Sequence, residues 1–326
     1  MMEEMKIRKK PVVDVIIPVY KPDEKFYLLL KRLGQQTLPV NKVLVINTEE
    51  RYWKTGPWET DVNLEVHHIT REEFDHGATR NMGASLSRAD VMIFMTDDAV
   101  PGGKDLTEQL MKALSLKGPQ GETVAMAYAR QLPAKDCLPV ERYIRSFNYP
   151  KESCVKTKAD LPRLGIKTYF ASNVCCAYRR EIFEKLGGFT ERTIFNEDMI
   201  FGAGVIEAGY AIAYGAGAKV IHSHNLTAVQ QFKRNFDLAV SQADHPEVFQ
   251  GLSSEGEGIR MILTVAKGLI RQKKAGQLPA LVVGSGCKYA GYRMGKAYRH
   301  IPMPLVKGCS MNALYWEKKE TGQPGR

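Results

Sequence analysis

Residues 12–46 read VVDVIIPVYKPDEKFYLLLKRLGQQTLPVNKVLVI, and two changes of period within them decide the fold class. Val12 to Val19 is a nearly continuous β-branched run bounded by prolines, the pattern of a strand buried on both faces of a parallel sheet. From Asp23 to Gln36 the apolar residues Phe26, Leu29, Leu30 and Leu33 recur at helical spacing, and Lys42 to Ile46 returns to a short buried run. Strand, helix and strand in that order form a βαβ unit.

The alternation continues outward. Leu64 to Ile69 reads as a strand, Ala78 to Leu86 as a helix, Val91 to Met95 as a strand, Leu106 to Leu116 as a helix and Val124 to Ala129 as a strand. An α/β layered sheet follows from this order. Leu132 to Lys167, rich in Lys, Pro and aromatics, breaks the pattern and reads as an insertion or acceptor-side loop. Order returns with a strand at Tyr169 to Cys176, helices at Arg180 to Leu186 and Asp198 to Ala208, and strands at Tyr210 to Tyr214 and Lys219 to His222. From Leu226 the period is helical, with Val229, Phe232 and Phe236 on one face. Ile259, Ile262, Leu263, Ala266, Leu269 and Ile270 then form one stripe beside Arg260, Lys267, Arg271 and Lys274, an amphipathic helix with a basic edge. Pro279 to Gly286 and Lys288 to Arg299 follow, the latter mixing tyrosines with cations.

Hydrophobic residues at 44% and charged residues at 25% describe a globular chain and exclude disordered, collagenous and fibrous classes. The six cysteines lack CxxC spacing, which favours buried free thiols over zinc or disulfides. Met1 to Pro11 is charged, without the apolar run of a signal peptide, and no window reaches 18 apolar residues, so a cytoplasmic protein is expected. The net charge of +10 is concentrated: residues 259–326 hold 13 Lys and Arg against Glu317 and Glu320. A neutral body with a strongly basic tail predicts a polyanionic surface meeting the tail. With no nucleic-acid motif and the excess confined to that tail, no nucleic-acid partner is expected.

Chemistry-bearing residues cluster where strands end. Thr96-Asp97-Asp98 follows Val91 to Met95, at the edge where open α/β sheets bind ligands. Two carboxylates there suit Mg²⁺ or Mn²⁺ completed by diphosphate oxygens, or else cap the next turn. Pro18-Val19-Tyr20, Asn47-Thr48-Glu49 and the run Asp75 to Asn81 end or follow other strands and can line the same crevice, with Arg80 and Asn81 offering donors to phosphate or base edges. Phe195-Asn196-Glu197-Asp198 opens a helix, so Glu197 and Asp198 either cap it or project a base into the cleft. His222-Ser223-His224 places two imidazoles on one side of an extended segment, as metal ligands or as hydrogen-bonded sheet-end histidines.

In order and spacing, VDVIIPVYKP, VLVINTEE, FDHGATRN, VMIFMTDDAVP, GGFTERTIFNEDMIFG and VIHSHNLTAVQQFKRNFD resemble glycosyltransferase family 2, most closely its bacterial rhamnosyltransferase branch, over residues 12–245; CSMNALYW around Cys309 is similar to a C-terminal signature of that branch. The resemblance implies a GT-A fold, a Rossmann-like nucleotide-binding half with a mixed sheet fused to an acceptor half, and inverting single displacement from a nucleotide sugar with Mg²⁺ or Mn²⁺. It further implies dTDP-L-rhamnose as donor, with UDP-hexose or UDP-galactofuranose as the alternative. Carried onto this chain, Pro18 and Tyr20 would flank base and ribose, Asn47 and Glu49 would lie by the base, and Arg80, Asn81 and Asp97 near the nucleotide or diphosphate. Asp98 and His224 would hold the metal. Asp198 would be the catalytic base, with Glu197 as second candidate.

Two positions depart from the family pattern. Thr96 stands where an aspartate is common, leaving Asp98 as the firm ligand, and Asn47 replaces an acid, so it can donate as well as accept. The QxxRW motif of processive synthases is absent, which points to transfer of one or a few sugars. The expected organisation is a tail at 1–11, a GT-A domain at 12–225 with halves 12–101 and 102–225, and a C-terminal helical basic region at 226–326. That region is expected to bring the enzyme to the anionic inner face of the membrane, where a lipid-linked saccharide would be its acceptor.

Overall fold

The computed structural model describes residues 10–56, 59, 61–251 and 255–321; most of the expected N-terminal tail, residues 1–9, lies outside the described residues. Nine strands form one mixed sheet: β1 (Val13–Tyr20), β2 (Lys42–Thr48), β3 (Leu64–Ile69), β4 (Val91–Met95), β5 (Val100–Pro101), β6 (Val124–Leu132), β7 (Cys154–Lys156), β8 (Cys175–Arg179) and β9 (Ala211–Ile221). The helices are α1 (Glu24–Leu33), α2 (His76–Leu86), α3 (Leu106–Leu114), α4 (Pro139–Asn148), α5 (Leu161–Leu164), α6 (Arg180–Lys185), α7 (Glu197–Glu207), α8 (Ala228–Asp244), α9 (Pro246–Phe249), α10 (Glu255–Arg271), α11 (Leu278–Lys296), α12 (Met303–Cys309) and α13 (Ala313–Thr321).

The sheet order is β3-β2-β1-β4-β8-β6-β9-β5, with β7 also on β9. The first four strands are parallel, as the βαβ reading requires, while β8 runs antiparallel to both β4 and β6. Alternation of side chains along the buried strands supplies two cores. Val13, Val15, Ile17 and Val19 pack with Phe26, Leu29, Leu30 and Leu33 of α1 and Leu106 and Leu110 of α3. Ile16, Leu44 and Met92 face the other way, where Phe94, Tyr178, Phe183, Phe189 and Phe201 meet at ring-centroid distances of 4.9–5.8 Å. Each such fully buried side chain contributes about 1.5–3 kcal/mol.

The structure differs from the sequence reading in four places. Residues 132–167 are not a single loop but hold α4, β7 and α5; α4 begins with Pro139 in its first turn and buries only Ile144, too little apolar surface to register as periodicity. The strand expected at Tyr169 to Cys176 runs from Cys175 to Arg179. The two strands expected at 210–222 are one, β9, whose register against β6 jumps between Gly215 and Lys219. The segments 279–286 and 288–299 belong largely to a single helix, α11, although it contains four glycines. All six cysteines are free, as expected, with Cys154 exposed and Cys287 and Cys309 half-buried.

Among the glycines of α11, two explain its packing. A Cβ on Gly291 would stand 2.2 Å from the Phe232 carbonyl oxygen, and one on Gly295 would stand 2.3 Å from that of Phe236, so α11 meets the α8 backbone directly. At the chain end Trp316 is fully buried with Phe236, Val240 and Val306, and Lys318 Nζ donates to the Phe74 carbonyl at 3.0 Å. The C-terminal helices thus brace the loop that leads into α2.

Candidate active site

The site begins where β4 ends. A tight turn, closed by Ala99 N donating to the Thr96 carbonyl at 3.1 Å, presents Asp97 and Asp98 and then feeds β5. β5 pairs antiparallel with the end of β9, Val100 opposite Ile221, and this pairing sets His222 beside Asp98. His222 Nε2 lies 3.4 Å from one Asp98 oxygen and His224 Nε2 lies 3.3 Å from the other, while the two Nε2 atoms are 3.0 Å apart.

A divalent cation fits this cluster. Its three candidate ligand atoms lie within 4.8 Å of one another, one carboxylate oxygen and two imidazole nitrogens. Burial lowers both imidazoles from the usual histidine range against the pull of Asp98, His222 to about 3, so each can offer a lone pair. His222 Nδ1 lies 3.0 Å from Gln131 Oε1, an arrangement in which Nδ1–H donates and Nε2 faces Asp98. Arg145 of α4 bonds the same Gln131 oxygen and comes within 3.3 Å of His222 Nδ1. Two nitrogens with one carboxylate suit Mn²⁺ better than the all-oxygen preference of Mg²⁺.

Asp97 turns the other way. Its carboxylate accepts from Tyr20 N at 3.3 Å and is pushed up to about 6, first by burial and then by the charge of Asp98. Tyr20 stands 40% exposed at the end of β1, edge-on to Tyr52 at 5.6 Å, with Lys21 Nζ 5.1 and 4.7 Å from the two ring centroids. Pro18 is half-buried in β1 opposite Ile46. Asn47 is fully buried at the end of β2: Nδ2 donates to the Glu49 carbonyl at 3.2 Å and meets His68 Nδ1 at 2.9 Å, while Oδ1 has no hydrogen-bond partner among the described residues. The Glu49 carboxylate accepts from Arg71 N at 2.9 Å and pairs with Arg51 at 2.8 Å.

Arg80 sits deeper than a crevice lining, whereas Asn81 is half-buried. Arg80, 5% exposed on α2, pairs with Glu197 at 3.2 Å and donates to the His76 carbonyl at 2.8 Å. Asn81 grips the backbone of Phe189 through both ends of its amide, at 2.9 Å each.

The first residues of α7 carry the second acidic pair. Asn196 precedes them in a left-handed conformation, φ 66°, which asparagine tolerates better than most residues and which turns both carboxylates inward. Asn173, at the approach to β8, organises them: its backbone N–H donates to Asp198 at 3.0 Å and its Nδ2 to Glu197 at 3.1 Å, while its own oxygen accepts from Tyr178 at 2.7 Å. Asp198 also accepts from Met199 N at 2.8 Å, one of the first-turn N–H groups that has no partner within the helix. The two acids separate electrostatically. Burial would raise Glu197, but Arg80, His76 and the Asn173 bond outweigh it and leave the group below the usual range, held ionised. Burial and then the Glu197 charge push Asp198 up to about 7, the range of a working general base.

Sequence reading missed Asn173, Gln131, Arg145 and Arg234. Gln131 had a visible signal, a polar residue closing the apolar run VAMAYARQ. Arg234 lies on α8 with its guanidinium 5.0 Å from the Phe195 ring and no ion pair among the described residues; its charge adds to the depression of both histidines.

The family model described as Glycosyl transferase family 2 matches residues 14–187. The chain is 37% identical over 307 residues to the O-antigen chain rhamnosyltransferase RfbN of Salmonella typhimurium, covering 93% of this chain and 96% of that protein. To the O-antigen chain rhamnosyltransferase WbaN of Salmonella anatum it is 35% identical over 313 residues, 94% and 96% of the two. The solved mannosyltransferase PcManGT from Pyrobaculum calidifontis, in complex with GDP-Man and Mn²⁺, shares the fold at TM-score 0.54 and 18% identity over 95% of this chain and 89% of that one. Set beside a mixed sheet that gathers an acidic turn, two histidines and a buried acid pair at one edge, these matches establish a glycosyltransferase of GT-A fold, and the chain belongs to glycosyl transferase family 2.

Proposed function

We propose that this enzyme transfers L-rhamnose from dTDP-L-rhamnose, with inversion, to a hydroxyl of a lipid-linked saccharide during surface polysaccharide synthesis, at the inner face of the membrane. Two relatives alike over nearly their whole length are O-antigen chain rhamnosyltransferases, which supports the sugar and the pathway class. The observation that carries the mechanism is the division of labour between two acid sites: Asp198, raised to about 7, and Asp98 with its two neutral histidines.

In this reading the Asp198 carboxylate accepts the acceptor's hydroxyl proton as that oxygen forms its bond to the anomeric carbon and the bond to the diphosphate oxygen breaks. Asn173 holds the carboxylate in place, and the charge of Glu197, which Arg80 helps keep ionised, keeps the proton affinity of Asp198 high. Asp98, His222 and His224 would hold a divalent cation, Mg²⁺ or Mn²⁺, which supplies positive charge to the departing diphosphate. Arg234 adds a second positive charge on the same side. The nucleotide would lie across the ends of β1 and β2, between Pro18 and Tyr20, with the open Asn47 oxygen accepting from the base N–H and with Glu49, Asn81 and Asp97 shaping the walls. Arg80 would act there through its charge rather than by contact. The GT-A domain would span 12–225 and the C-terminal helices 226–326.

A donor panel tests this: purified enzyme with Mn²⁺, a lipid-linked acceptor, and dTDP-L-rhamnose, UDP-glucose or UDP-galactofuranose. Transfer from dTDP-L-rhamnose with inversion is expected. Turnover of a UDP-sugar alone would overturn the rhamnosyl reading.

A further inference from the structure

Helix α10 already has its place in the fold. It buries Val265 and Leu269 against Ile144 of α4 and Leu281 of α11, with Met261 and Ile262 beside them, and Tyr143 donates to the Gly268 carbonyl at 2.9 Å. A helix that only covered the catalytic body would need one apolar stripe. α10 has two.

Ile259, Leu263 and Ile270, spaced four and seven residues apart, fall on one line of the helix and remain 61, 57 and 57% exposed. Arg260, Lys267 and Arg271, spaced seven and four, form the adjacent exposed line, so the order around the helix is buried stripe, open apolar ridge, cationic ridge. The turn that follows adds exposed Lys273 and Lys274, and Val282 and Val283 at the start of α11 are 65 and 56% exposed. The two acids of α10, Glu255 and Glu257, lie in its first turn, and no Asp or Glu follows until Glu317. No described helix is long and apolar enough to cross a membrane.

We propose that α10 is an interfacial helix by which the protein lies on an anionic lipid bilayer, the Ile259–Leu263–Ile270 ridge entering the headgroup and acyl boundary and the cationic ridge meeting the lipid phosphates. An apolar ridge edged by Lys and Arg is the pattern that binds such a surface. A second copy of the chain is disfavoured as occupant, since pairing this face with itself would oppose two cationic ridges. The inference deepens the lipid-linked acceptor of the proposed function and rests on it for its biological sense. Geometry adds a consequence: α4, on which α10 packs, also carries Arg145, within 3.3 Å of His222. The lipid-facing helix is thus one helix away from the candidate metal cluster.

The test is co-sedimentation of the full chain with phosphatidylcholine vesicles containing or lacking phosphatidylglycerol. Wild type is expected to pellet with the anionic vesicles and stay in solution with the neutral ones. The triple variant R260Q/K267Q/R271Q should lose about a hundredfold in partition constant, and L263D/I270D at least about tenfold. Both should keep wild-type melting temperatures and turnover of a water-soluble acceptor. Wild-type protein left in solution, or L263D/I270D pelleting like wild type, overturns the proposal. So does a dimer in analytical ultracentrifugation that the ridge variant abolishes. Vesicle binding without sugar transfer would instead remove the functional reading and leave this surface standing.

Discussion

Glu197→Gln probes the pair on which the mechanism depends. Asp198 is held near 7 first by burial and second by the Glu197 charge. A charge on a close neighbour shifts a buried carboxyl by about one to three pKa units, and the middle of that range, about two, is taken for Glu197. Removing it also leaves Arg80 uncompensated, which draws Asp198 down further. A general base works only when deprotonated, so wild-type kcat/KM should climb with pH to a plateau with its midpoint near 7, and in the variant that limb should move to about pH 5. The glutamine oxygen keeps the acceptor for Asn173, which holds the geometry. Burying Arg80 without its partner costs about 3–5 kcal/mol, so a melting curve must show the variant folded at the assay temperature. Stability carries the same signature: Asp198 binds its proton more tightly folded than unfolded, so its contribution is present below about pH 4 and is lost as pH rises through about 7. The measurement is a profile of kcat/KM from pH 4.5 to 8.5 at saturating metal. A limb that stays near 7 would show that Asp198 is not the titrating group. Loss of activity at every pH in a folded variant would make Glu197 the base itself.

Three further perturbations follow from the geometry. Asp198→Asn should lower kcat by about 10²–10⁴-fold while donor binding, read by calorimetry, stays within about twofold; unchanged turnover would remove the base assignment. Gln131→Leu deprives His222 Nδ1 of its acceptor and should weaken Mn²⁺ binding about 10–100-fold, seen as a shift in the metal dependence of donor binding; an unchanged metal titration would separate His222 from the metal. Gly295→Ala drives a methyl group into the Phe236 carbonyl and should destabilise the fold by about 1–3 kcal/mol, whereas Gly284→Ala, with open space around it, should leave the melting temperature equal or higher.

The alternation of βαβ units was legible because the inner strands of the parallel half, β1 and β2, are buried on both faces and therefore written as β-branched runs, Val13 to Val19 and Val43 to Ile46. The unread parts are those where tertiary contact overrides local preference. α11 keeps four glycines in a helical run because two of them allow direct backbone contact with α8, a gain invisible to propensity. α4 hides because one buried residue makes no period. At the site, Asp98 and the histidines were legible as types, but their convergence depends on two residues of β5 pairing with the far end of β9. Asn173 could not be read at all: its role arises because β8 runs against β4 and so brings its beginning, not its end, to the edge where the acidic turn lies.

The same reversed strand has a practical consequence. Cys175 and Cys176 are consecutive and both buried, yet Cys175 belongs to the core shared with α1 and α3 and Cys176 to the aromatic core on the opposite face. Burial raises both thiols far above the range in which they ionise, so neither reacts with an alkylating reagent while the sheet is closed. Exposed Cys154 provides the fast reference on the same molecule. The lag between them measures how often the central strand opens, and comparing Cys175 with Cys176 tells which layer lets go first.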